Sequence, residues 1–135
     1  MTRSRGLGDV YKRQGGGLKL FLVTLIILLS TQITKAEINQ LFIKNCATCH
    51  SVQKGDKTLR AGPNLWGVFG RKAAAQKDYT MYSDAIKKSG LIWNDQNLDK
   101  WLTNSGGFMP GTNMYYMQAD ASVRKTIIDY LKTLK

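Results

Sequence analysis

The 135-residue chain is poor in the residues that most often carry structure or chemistry by themselves: it has one histidine, two cysteines and two prolines. Two cysteines cannot build a disulfide scaffold. A structural zinc site takes four ligands, usually Cys or His, and here there is no third cysteine and no second histidine. Two prolines with 13 glycines do not make a low-complexity chain. Long apolar runs are missing too. Leu20–Leu29 is uncharged for ten residues, short of the roughly 18–20 that a membrane span requires. Acidic residues are scarce, nine against 20 Lys and Arg, which leaves a formal charge of +11. Taken alone, that excess points to nucleic acid or an anionic membrane. What is present is apolar substance: 43% hydrophobic residues allow a packed core and argue against disorder.

The basic charge is unevenly placed. Residues 1–36 carry Arg3, Arg5, Lys12, Arg13, Lys19 and Lys35 against Asp9 alone, a net +5, and residues 37–135 carry the other +6. A basic stretch, the apolar run Leu20–Leu29 and small residues at Thr34-Lys35-Ala36 fit a signal peptide, with cleavage expected after Ala36. The alternative is an uncleaved anchor. Within this leader, Asp9-Val10-Tyr11-Lys12-Arg13-Gln14 resembles the translation of a common transposon-derived sequencing adapter. Residues 1–14 are therefore read as non-native and 15–36 as the signal peptide.

Residues 37–135 then form one small domain with a marginal core. Ile38, Leu41 and Phe42 keep a helical period. Asn94-Asp95 caps a helix burying Leu98, Trp101 and Leu102. Val123, Ile127, Tyr130, Leu131 and Leu134 form an amphipathic stripe behind Asp120 or Ser122. Tyr82–Lys88 predicts a short helix stopped by Gly90. No segment alternates as a strand does. The linkers 51–80 and 104–119 are long and glycine-rich, and loops of that length are uncommon unless something functional organises them. The helices alone do not supply enough core.

Cys46-Ala47-Thr48-Cys49-His50 is a C-x-x-C-H, the attachment pattern of c-type haem. Cysteines three apart on a helical turn share a face, so two thioethers can grip one porphyrin edge while His50 reaches the iron. Such a group would also furnish the missing core. A thioredoxin-like C-x-x-C wants a βαβ context, which is absent. A plain disulfide suits an exported protein but leaves His50 unexplained. With His50 on one side of the iron, an electron-transfer site commonly has methionine on the other. Met109, Met114 and Met117 crowd the late loop, with Met81 earlier, and for any one of them taken singly core filler is the commoner role.

Further runs follow in order: Ala61-Gly62-Pro63-Asn64-Leu65, Gly67-Val68-Phe69-Gly70-Arg71-Lys72, Tyr82-Ser83-Asp84-Ala85, Leu91-Ile92-Trp93 and Phe108-Met109-Pro110-Gly111-Thr112-Asn113-Met114. With these, residues 37–135 resemble class I cytochrome c, the family of mitochondrial cytochrome c and its bacterial electron-carrier relatives. The resemblance implies an all-α fold of three to five short helices and long loops around one covalently attached haem c, with crossing N- and C-terminal helices. It implies thioethers at Cys46 and Cys49, axial ligation by His50 and Met114, and a Pro63 carbonyl on the other nitrogen of His50. Arg71, Tyr82 and Trp93 match positions that bind an inner haem propionate. Phe42 and Tyr130 match the aromatics where the end helices touch.

The sequence also departs from the family pattern. Ile38 stands where a glycine is frequent, which suggests a wider helix crossing or a shifted helix start. Trp101 replaces a tyrosine near the methionine sulfur, and Ile86 replaces an asparagine near buried water. A drier pocket disfavours the ferric charge, so the expected potential is at the high end for the class. The family's mitochondrial members ring the haem edge with lysines, whereas Gly106, Gly107 and Asn113 occupy such places here. The basic residues lie at Lys54, Lys57, Arg60, Lys72, Lys77, Lys87 and Lys88. The function implied is a monomeric periplasmic one-electron carrier between redox proteins, by analogy a cytochrome bc complex and a terminal oxidase. It would have no enzymatic activity, no nucleic acid to bind and at most peripheral membrane contact. The rivals are a module docked permanently on an oxidase or dehydrogenase, and a haem peroxidase. The peroxidase needs an open iron position and a distal acid or base, for which no second histidine exists.

Overall fold

Five helices and no strand occupy the described residues, 36–135, of the computed structural model. The leader expected over residues 1–36, with the stretch 1–14 read as non-native, lies outside them apart from Ala36. Helix α1, residues 36–45, buries Phe42. It ends as Cys46 and Ala47 both donate their N–H to Phe42 O, at 2.8 and 3.2 Å, which tightens the chain into the Cys46–Cys49 turn.

Helix α2, Asp84–Lys88, is shorter than the Tyr82–Lys88 expected, because Ser83 stands outside it as the cap and accepts the Ile86 N–H. Ser89 closes it and Gly90 follows at φ +63°, a left-handed turn that glycine makes without strain. Helix α3, Asp95–Thr103, starts where Asn94 accepts the Asn97 N–H and buries Leu98, Trp101 and Leu102. Helix α5, Ala121–Thr133, starts at Asp120, whose carboxylate takes the Ser122 and Val123 N–H groups. The alternative cap, Ser122, lies inside the first turn. Leu134 ends the helix as its cap, yet it is buried with the stripe.

Helix α4, Ser105–Phe108, falls inside the linker read as loop. Its Ser-Gly-Gly-Phe sequence has little helix propensity. Asn104 makes the turn: it terminates α3, and its side chain accepts the Gly107 N–H at 2.9 Å.

Helices α3 and α5 pack on each other through their apolar stripes, and Arg124 on α5 reaches Asp99 on α3 at 2.7 Å. The tilted rings of Phe42 and Tyr130, 5.3 Å apart, join α1 to α5, so the first and last helices meet at the two expected aromatics. The 51–82 segment is sewn to this frame by its backbone. Gly67 N–H donates to Leu134 O at 2.8 Å, and an isolated bridge pairs Lys72 with Ile92. Among the described residues no helix is long and apolar enough to cross a membrane.

Candidate functional site

A cavity of about 290 Å³ opens inside this frame. The eight residues singled out from the sequence, Cys46, Cys49, His50, Pro63, Arg71, Tyr82, Trp93 and Met114, all line it. They come from the turn after α1, the 61–82 segment, the entrance to α3 and the loop after α4. The site therefore exists only once those four pieces are folded together.

His50 is fixed first. Its N–H donates to Cys46 O at 2.9 Å, and its Nδ1 lies 2.7 Å from Pro63 O. A carbonyl can only accept, so Nδ1 carries the proton and Nε2 keeps its lone pair. Burial lowers the His50 pKa from its ordinary value, with the Pro63 bond opposing, and the ring favours its neutral form. Neutral imidazole is the form that ligates a metal. Gly62 supplies the room: a Cβ there would lie 2.2 Å from His50 Cε1. Gly62 stands in the sequence as one member of the Ala61–Leu65 run, with nothing to signal this approach between segments 12 residues apart.

Burial, aided by the nearby Cys49, pushes the Cys46 thiol up to about 11. A dithiol redox pair needs the opposite, a depressed pKa that yields thiolate. Cys46 is therefore not the ready thiolate that a thioredoxin-like pair would use, and the all-helical fold lacks the βαβ context.

Arg71 is half-buried on the cavity wall. Its guanidinium donates to Trp66 O and Asn64 O, both at 3.1 Å, and to Gln76 Oε1 at 2.9 Å. All three acceptors are neutral, and among the described residues no carboxylate pairs with it. Burial lowers its pKa, and Tyr82 opposes that shift. Lys72, also on the wall, likewise lacks a carboxylate partner among the described residues. The sequence grouped it with the scattered basic residues. Trp93 is buried edge-on to Trp101, with ring centroids 5.3 Å apart, and neither it nor Tyr82 bonds to Arg71.

Of the methionines, Met114 and Met81 both reach the wall. Met114 is half-buried, whereas Met81 is 44% exposed and its carbonyl is held by the Asn113 side chain at 3.1 Å. Met109 packs on the core away from the cavity, and Met117 is 72% exposed. Ile86 and Trp101, the two apolar departures, are both buried and both on the wall.

This donor set fits an attached haem: two thiols on one turn, a neutral imidazole pinned through its far nitrogen, a thioether, and cations without carboxylate partners to meet anionic propionates. The apolar lining suits a porphyrin, and the residues present would hold the group.

Comparison with known proteins agrees. A family model described as "Cytochrome c" matches residues 36–135. Cytochrome c of Theileria parva is 43% identical over 94 residues, covering 69% of this chain and 79% of that protein. Cytochrome c2 of Rhodopila globiformis is 41% identical over 96 residues, covering 70% and 88%. Among solved structures, cytochrome cH from Methylobacterium extorquens superposes with a TM-score of 0.63 at 38% identity, covering 73% of this chain and 96% of that one. Fold, motif and relatives converge: this chain belongs to the cytochrome c family, as a class I c-type cytochrome that carries electrons on covalently attached haem c.

Proposed function

We propose that the protein is a periplasmic one-electron carrier in which His50 and Met114 are the two axial ligands of the haem iron. The observation that carries this reading is that His50, held as neutral imidazole, and the half-buried Met114 line one cavity with both attachment cysteines. When bound, the haem supplies an iron that takes up and releases a single electron.

The chain does the rest. Pro63 orients the imidazole and raises its basicity through Nδ1. Met114 would offer the iron a polarisable sulfur on the cavity wall, a position a substrate would otherwise need. Arg71 offers a half-buried positive charge to a propionate, whose unpaired burial would be costly. Tyr82 and Trp93 stand on the same wall as polar-tipped aromatics for the same carboxylate. Were His50 and Met114 both to hold the iron in either oxidation state, little of the chain would need to move. These roles suit a carrier, and the peroxidase reading has no distal histidine to use.

The basic, apolar leader supports export to the periplasm, as does the likeness to bacterial cytochromes c2 and cH. By analogy the donor is a cytochrome bc complex and the acceptor a terminal oxidase, with the protein shuttling as a monomer. An absorption spectrum of the holoprotein tests the ligation. A c-type reduced α band together with a weak sulfur–iron band in the oxidised form is expected. Rapid carbon monoxide binding by the reduced protein would sink the reading, since it requires an open iron.

A further inference from the structure

Ser105 is 0% exposed, an unusual place for a hydroxyl in so small a domain. It opens α4, and its hydroxyl is wholly engaged with one short segment nine to eleven residues away. Oγ lies 2.5 Å from Met114 O, to which it donates, and accepts the Tyr116 N–H at 2.9 Å. Tyr116 O is 3.2 Å from Oγ and accepts the Ser105 N–H at 3.1 Å. A hydroxyl has one proton, and the shorter contact to Met114 O takes it, because the Tyr116 carbonyl already has the backbone donor. One residue thus ties positions 114 and 116 to the start of α4.

The other ties of this loop leave the Met114 carbonyl alone. Met114 N–H reaches only Thr112 Oγ1, within the loop itself, at 3.3 Å. Asn113 bonds to Met81 O through its side chain, and Gln118 N–H donates to Leu102 O at 3.0 Å. A methionine side chain is unbranched and flexible, so where its sulfur sits depends on how firmly its backbone is held. Among the described residues, that hold on the carbonyl is Ser105.

We propose that Ser105 is a positioning residue for Met114: its buried hydroxyl clamps residues 114–116 against α4 and so keeps the thioether at the cavity. This rests on the reading of Met114 as the sulfur ligand. Ser105→Ala would leave Met114 O and the Tyr116 N–H buried without their partner, which favours opening of the loop about tenfold.

The probe is imidazole, titrated into the oxidised holoprotein while the sulfur–iron band is followed as imidazole nitrogen displaces sulfur. Ser105→Ala should show an apparent Kd for imidazole about tenfold lower than the unaltered protein. Ile128→Ala removes a buried side chain of α5 that lies off the cavity wall, and it should melt earlier yet bind imidazole as the unaltered protein does. Equal affinity in Ser105→Ala and the unaltered protein, with the band present in both, overturns the proposal alone. An equal tightening in Ile128→Ala overturns it too, because the effect is then general loss of stability. Absence of the band from the unaltered protein overturns the axial reading and the proposal with it. Should Ser105→Ala fail to fold, amide exchange in the unaltered protein decides. Saturating imidazole should speed exchange at Ser105 and Tyr116 at least tenfold relative to α5, and unchanged rates refute the clamp.

Discussion

Replacing Gly62 by alanine tests how tightly the imidazole is seated. The new Cβ would lie 2.2, 2.6 and 2.7 Å from Cε1, Nδ1 and Nε2 of His50, so no rotation of the ring about one edge relieves the overlap. Neither side can retreat without loss. The ring is bonded to Pro63 O at 2.7 Å, and the Gly62 N–H donates to Cys49 O at 2.9 Å. Overpacking of this kind costs about 1–3 kcal/mol, and one of the two hydrogen bonds adds about 1 kcal/mol. The sum, about 2–4 kcal/mol, is a large share of the stability of a small domain. At about 4–8 °C per kcal/mol it lowers Tm by roughly 8–32 °C. Gly106→Ala is the comparison, because its Cβ would meet nothing closer than 3.5 Å and alanine is the better helix former there. Thermal unfolding of both holoproteins, followed by circular dichroism, gives the answer. Equal Tm for the two variants would refute the close approach of Gly62 to the imidazole.

Arg71→Gln removes a positive charge from the cavity wall, so the reduction potential should fall, and the loss of its bonds to Trp66 O and Asn64 O should cost about 1–3 kcal/mol in denaturant unfolding; an unchanged potential contradicts a propionate partner. Ile86→Asn places an amide on the apolar wall and should also lower the potential, measured by the same potentiometry; a rise would contradict the link between a dry pocket and a high potential. The Ser51 hydroxyl, then the Thr58 side chain and N–H, hold the Asp56 carboxyl down at about 2, so its stabilising contribution is present above the unfolded carboxyl pKa near 4 and lost as pH falls toward 2. Asp56→Asn should be less stable at pH 7, with the gap to the unaltered protein mostly closed by pH 2, and a gap of undiminished size in acid would refute the assignment. Electron transfer to the native partner should depend only weakly on salt, since residues 105–122 contain no lysine; a steep fall in stopped-flow rate between low and physiological salt would count against this.

The helices that were legible in the sequence are those whose caps and stripes agree. Asn94 with Leu98, Trp101 and Leu102, and Asp120 with Ile127, Tyr130 and Leu131, each specify a helix without help from the rest of the chain. Helix α4 was not legible because two of its four residues are glycine, and its turn is held by Asn104 and by bonds to residues 114–116. The same division runs through the site. Cys46, Cys49, His50, Pro63, Arg71 and Met114 could be named because each sits in a run whose order carries a chemistry. Gly62 and Ser105 could not, because what they do depends on a distance to a ring or carbonyl supplied by another segment. Lys72 looked like one more surface charge until its backbone bridge to Ile92 set it on the cavity wall.

The shortage of core inferred from the sequence has a definite location. Among the described residues twelve hydrophobic side chains are buried, and eight of them, Val68, Ile86, Trp93, Leu98, Trp101, Leu102, Ile127 and Leu131, also line the cavity. Most of the buried core thus also serves as wall of the binding site. An opening of about 290 Å³ leaves those eight side chains without packing partners on one side, and an apolar group seated there would restore the lost contacts. The haem is therefore part of what makes the fold stable as well as what the fold serves. A change at Trp101 or Ile86 must accordingly alter packing and redox behaviour together, because each of these side chains belongs both to the buried core and to the cavity wall.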